Sequence, residues 1–166
     1  MIRMAVFAVS LALAGCGFEP LYGGAAGQRT VAELAGVRIG DIADRSGQEL
    51  RNALVDRFGT DVPVTVPRRY RLDVTVPPTA LIAGPGARGA DVVQPLNVTA
   101  TVQLVDITSG ARVHQFVVTA SASVVLVDNP FASTQNSRGT RSALSRVLAD
   151  QIADRVAAFL RSRPVA

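Results

Sequence analysis

Gly84, Gly86 and Gly89 hold the G-x-G-x-x-G spacing of a dinucleotide-binding turn, and Asp106 lies about twenty residues on, where a ribose-binding acid would be. That chemistry needs a helix N-terminus aimed at the pyrophosphate directly after the turn. The next residues are instead Ala90-Asp91-Val92-Val93-Gln94-Pro95 and then a Thr/Val-rich run, so the segment reads as a loop between strands. His114 is the only histidine and Cys16 the only cysteine, which leaves neither a disulfide framework nor a protein-only zinc site. Ser and Asp are abundant, yet no G-x-S-x-G marks a nucleophile. Asp150 and Asp154 lie four apart but alternate with Arg146 and Arg155, the pattern of a solvated charged helix face. The reading is therefore of a protein that is not an enzyme and uses no cofactor. Arg68, Arg69 and Arg71 form the one basic run. It is either an exposed strand start or a contact for anionic lipid heads, since guanidinium grips phosphate with paired donors. Arg88, in the Gly-rich turn, is a second candidate for the lipid contact.

Cys16 carries the more specific signal. Met1-Ile2-Arg3-Met4 gives one positive charge, Ala5 to Ala14 is apolar, and Leu13-Ala14-Gly15-Cys16 closes the segment with small residues before a cysteine. This is a removable signal peptide. Ten apolar residues at 1.5 Å rise cover roughly 15 Å, half of a hydrocarbon core of about 30 Å, which argues against a span. The Leu-Ala-Gly-Cys string matches a bacterial lipobox: cleavage before Cys16 and acylation of its thiol and new amine. Several acyl chains (palmitate among them) anchor firmly where one does not. Gly17, in place of an aspartate, favours export to the outer membrane. The resulting division is a signal peptide at 1–15, an acylated tether at 16–36, a folded domain at 37–163 and a tail at 164–166.

The chain has 166 residues, enough for one domain, and 48% of them are hydrophobic, which excludes wholesale disorder. With aromatics at only 5% and no Trp, aliphatic side chains must build the core. All 17 basic residues are Arg against 13 acids, and a surplus of +4 without clustering is no nucleic-acid footprint.

The elements emerge from periodicity. Gly17 to Gly27 reads as extended tether and Val37-Arg38-Ile39 as a short strand. Ser46 and Glu49 have capping-box spacing ahead of an apolar stripe at Leu50, Ala53, Leu54 and Phe58, with Gly59 as the stop. Three alternating strands come next. Their apolar positions are Tyr70 to Val76, Val98 to Leu104 and Phe116 to Leu126, all even-numbered, with mostly polar residues between. Each strand is thus buried on one face, and Asp106 to Gly110 joins the last two as a hairpin. Asp128-Asn129-Pro130 ends the third of these strands, and a helix begins somewhere from Ser133 to Thr140 and runs to about Arg161. The expected fold is α+β: a two-layer α/β sandwich of order β-α-β-β-β-α, two helices on one face of a four-stranded mixed sheet. Thr99, Thr101, Gln103, Thr119, Ser121 and Ser123 make the other sheet face rich in hydroxyls and amides.

The string Cys16-Gly17-Phe18-Glu19-Pro20-Leu21-Tyr22-Gly23 resembles the mature start of the LptE family of lipopolysaccharide-assembly lipoproteins, in its alphaproteobacterial form. Asp44 to Leu54 is similar to that family's first helix and its entry, Asp128-Asn129-Pro130 also fits, and the order of elements matches over the mature chain. The resemblance implies an α/β sandwich inside the lumen of the LptD outer-membrane barrel, supporting its assembly and lipopolysaccharide transport to the cell surface. It also implies an anchor in the inner leaflet on the periplasmic side, and lipopolysaccharide contact through basic residues near the turn held here by Arg88. The alternatives are an auxiliary lipoprotein of another envelope lipid-transport system and a periplasmic enzyme dependent on His114. Cys16→Ala is expected to accumulate as uncut, unacylated precursor, read by intact mass; a variant still processed and membrane-bound would refute the lipoprotein reading.

Overall fold

The computed structural model describes residues 24–59, 67–78 and 92–163. The elements are α1 (Gly24–Ala35), β1 (Val37–Ile39), α2 (Asp44–Phe58), β2 (Tyr70–Thr75), β3 (Val92–Asp106), β4 (Arg112–Leu126) and α3 (Pro130–Arg161). The sheet order is β1-β2-β3-β4, with β1 parallel to β2 and the other pairs antiparallel. This is the expected α+β fold with a mixed sheet, and its helices pack on the sheet.

The even-numbered strand positions do face the core. Leu72, Ala100, Val102 and Leu104 are wholly buried, beside Val118, Ala120 and Val124. Over them lies α3, whose Leu144, Leu148, Ile152, Val156 and Leu160 repeat every four residues as one buried stripe. At 1.5 Å per residue α3 is about 48 Å long. At about 3.4 Å per residue a 15-residue strand reaches about 50 Å, so helix and hairpin match in length. Leu50, Leu54 and Phe58 of α2 complete the core.

Four expectations are corrected. The tether does not extend to residue 36: α1 occupies 24–35, with Thr30 and Leu34 buried and the helix packed on α3. Three helices are thus described beside the sheet, α1 lying mainly against α3. The capping box does not form. The α2 helix starts three residues early at Asp44, its N-cap Ala43 makes no side-chain cap, and Glu49 faces Arg45 at 4.0 Å instead. The start is set by packing, with Ile42 lying directly against Gly47. The α3 helix begins at Pro130, ahead of the expected window, with Asn129 Oδ1 accepting from the Phe131 and Ala132 amides at 3.0 and 3.3 Å. The hydroxyl-rich stretch after it is helical too, and Thr134, Ser137 and Thr140 satisfy their hydroxyls within it by donating to carbonyls four residues back. Finally, β3 begins at Val92 and runs through Pro95, which faces Ser123 of β4. Pairing with β2 covers only Thr101–Asp106, so the missing proline amide falls where β3 has no second described neighbour.

The expected stop at Gly59 and the hairpin turn are present. Gly59 is left-handed at φ 64°, Gly110 at φ 68°, and Asp106 Oδ1 accepts from the Thr108 and Ser109 amides at 2.9 and 3.0 Å. Two glycines inside helices give opposite predictions. A Cβ on Gly139 meets nothing within 4 Å, so Gly139→Ala should raise stability by about 0.5–1 kcal/mol through helix propensity. A Cβ on Gly47 would lie 2.9 Å from the Ile42 carbonyl oxygen. Gly47→Ala should therefore destabilise by about 1–3 kcal/mol. Urea unfolding midpoints check both signs.

Candidate functional site

Odd-numbered residues of β3 and β4 turn away from the helices and form the open face of the hairpin. Six of its cross-strand rows are Val93–Val125, Pro95–Ser123, Asn97–Ser121, Thr99–Thr119, Thr101–Val117 and Gln103–Gln115, and a seventh, Val105–Arg112, lies next to the turn. The first six carry no charge, and the Thr99 and Thr119 hydroxyls are hydrogen-bonded at 3.1 Å. This is the hydroxyl- and amide-rich face that alternation predicts. Three exposed valines, Val93, Val117 and Val125, are set into it. Along the outer edge of β4, α3 supplies donors to the strand's carbonyls. Arg155 Nη1 donates to Val117 O at 3.0 Å and Asn136 Nδ2 to Val125 O at 3.1 Å. Ser133 Oγ accepts from Val127 N and donates to Val127 O, which ties the strand end to the helix start.

Charge gathers at the opposite side of the sheet. A groove of about 990 Å³ runs along the β1 edge, lined by Arg38, Arg51, Arg68 and Arg71 together with Asp41, Asp56 and Asp73. The basic run is divided by its neighbours. Arg71 makes a two-pronged pair with Asp73, Nε at 2.9 Å and Nη2 at 2.9 Å, which raises the pKa of its guanidinium further. Arg69 points away to the hairpin turn, 3.5 Å from Asp106 Oδ2 and over the Tyr70 ring. Arg68 is exposed and lines the groove. The structure thus brings Arg68 and Arg71 together with Arg38 and Arg51, two residues that sequence reading missed. The signal for Arg38 was its odd place in an alternating Val-Arg-Ile strand. Cys16 and Arg88 lie outside the described residues.

His114 is half-buried and structural in its setting. Its ring stacks on Phe159 at 4.4 Å and 7°, and Arg163 lies over the Phe159 ring at 5.1 Å while donating to the Tyr70 hydroxyl at 2.7 Å. This clasp holds the end of α3 to the sheet. Asp150 pairs with Arg57 of α2, so it ties two helices together where the sequence reading made it part of a solvated face. Among the described residues no three His, Cys, Asp or Glu side chains gather as a metal site, and no helix is long and apolar enough to cross a membrane.

Known proteins share this architecture. The profile of the LptE family, described as lipopolysaccharide-assembly, matches residues 34–160. The chain belongs to the LptE family. A candidate lipoprotein of Caulobacter crescentus CB15 is 21% identical with a TM-score of 0.68, covering 83% of this chain and 99% of its own. A minor lipoprotein of Acinetobacter baumannii is 18% identical with a TM-score of 0.51, covering 74% and 91% respectively. Both likenesses speak for the fold alone. Among curated proteins, none matches the chain.

Asp106 gives a pH prediction. The Ser109 amide holds its carboxyl below the usual range; desolvation opposes it, and the Thr108 amide and the Arg69 side chain add to the lowering. A carboxylate lowered on folding contributes stability that is complete above its unfolded pKa of about 3.9 and fades as pH falls through the lower folded value. Asp106→Asn should therefore lower the thermal midpoint at pH 7, and the gap from wild type should narrow below about pH 4. A gap constant with pH would contradict the assignment.

Proposed function

We propose that this chain is a non-enzymatic outer-membrane lipoprotein that plugs an LptD-type β-barrel, supports its assembly, and so serves lipopolysaccharide transport to the cell surface. Acyl groups on Cys16 hold it in the inner leaflet of the outer membrane, on the periplasmic side. The observation that carries the reading is the family match over residues 34–160, which runs from the end of α1 nearly to the end of α3. Two features of the fold support it. Away from its turn the hairpin face is neutral and hydrogen-bonding, which suits the polar, wet interior of a large barrel. The sheet also has two edges, and enclosure by a partner keeps such edges from pairing with other chains.

Lipopolysaccharide phosphates are assigned to Arg68 at the mouth of the β1 groove and to Arg88. Arg69 and Arg71, already engaged by Asp106 and Asp73, contribute less. Depletion of the chain should leave the barrel misassembled and reduce surface lipopolysaccharide. Normal surface lipopolysaccharide after depletion would refute the proposal. Arg68→Glu combined with Arg88→Glu should weaken lipopolysaccharide binding by at least tenfold, about 1.4 kcal/mol, while Arg69→Glu alone should change it less than threefold. Unchanged binding in the double variant would remove the lipid contact from the account.

A further inference from the structure

The open face of the β3–β4 hairpin is unlike the rest of the surface. Six consecutive cross-strand rows, from Val93–Val125 to Gln103–Gln115, contain no charged residue; the first charge, Arg112, comes in the row beside the turn, Val105–Arg112. The charges lie on α2, on the outer side of α3, on the β1–β2 half of the same sheet, where Arg71 and Asp73 stand, and at the turn end of the hairpin, where Asp106 and Arg112 stand. A surface meant for water normally mixes in charges, and depletion of charge is the compositional mark of a protein contact.

The chemistry of the strip limits what can cover it. Hydroxyls and amides such as Asn97, Thr99, Thr119 and Ser121 exchange water for another neutral hydrogen-bonding surface at little cost. A charged partner would lose its hydration here and find no countercharge. The size of the strip limits it further. Val93 to Gln103 spans roughly 35 Å along two strands about 10 Å wide in all, a few hundred Å². A free-standing interface takes about 800 Å² per partner, so two copies meeting through this face alone would not hold. A wall that also tracks the hairpin's edges would. Those edges are exposed to such a wall: β2 leaves Val92–Ala100 of β3 unpaired on that side among the described residues, and on β4 the donors from α3 reach Val117 and Val125 but not the positions between.

We infer that the chain lies against its barrel through this strip, and that the barrel strands facing it carry neutral hydroxyl and amide side chains. The inference rests on the plug reading and adds which surface makes the contact. A photo-crosslinking amino acid is placed in the full-length chain, in cells holding their own barrel, at Asn97, Thr119 or Ser121, and for comparison at Arg45 or Asp56 on α2. Crosslinks to an outer-membrane β-barrel, identified by mass spectrometry, are expected to be at least fivefold stronger from the strip. Ser121→Arg is expected to reduce barrel co-purification at least tenfold and Ser121→Thr to leave it intact, with unchanged circular dichroism in both. Strong crosslinks from α2 with weak ones from the strip, or a Ser121→Arg chain that still co-purifies fully, would overturn this inference and leave the plug reading standing. No barrel crosslink from any position would overturn the plug reading, and this inference with it.

Discussion

The structure depends on one apolar seam: the five-turn stripe Leu144, Leu148, Ile152, Val156 and Leu160 of α3 against the even-numbered side chains of β3 and β4. Strand side chains alternate, so burying the even positions fixes the odd ones on the far side. A slip of one residue would reverse the whole set. The neutral outer face of the hairpin is thus a direct consequence of how its inner face packs. The remaining contacts serve this seam. Asn129 and Ser133 fix where α3 begins relative to the end of β4, and the stack of His114, Phe159 and Arg163 fixes where it ends.

Charge is then distributed around a dry centre. The β1–β2 half of the sheet holds paired ions, Arg71 with Asp73 and Arg69 with Asp106, and exposed pairs of this kind contribute little to stability. Their consequence is for recognition. They leave Arg68 as the member of the basic run that lines the groove without a carboxylate partner among the described residues. The proposed plug role calls for such a division: a neutral strip to lie against a wall and a charged flank facing water or anionic lipid.

Much of this was legible in the sequence because period-two alternation is a strong signal. Tyr70–Val76, Val98–Leu104 and Phe116–Leu126 gave the strands, Asp106–Gly110 the hairpin and Gly59 the helix stop. The misses have separate physical causes. The α1 helix has few large apolar residues, and what orders it is burial of Thr30 and Leu34 on α3, a tertiary contact. The Ser46/Glu49 box lost to the packing of Ile42 on Gly47. The start of α3 was readable, since Asn-Pro is a cap with a first-turn proline after it, but the Ser/Thr cluster beyond looked like a breaker. Of the candidate site, the neutral face was implied by alternation. The engagement of Arg69 by Asp106 was not, because it depends on the register that sets Tyr70 opposite Asp106. Arg51 enters the groove through the packing of α2 beside β1, which no local pattern encodes.

The claim at the centre is that this chain has no solitary working form. Native mass spectrometry of the acylated protein, released from envelopes in mild detergent, tests it most directly. The account predicts a single dominant species, one copy of the chain with one large β-barrel and an intact lipid-modified N-terminus. A chain that emerges alone, or without its lipid, would contradict it.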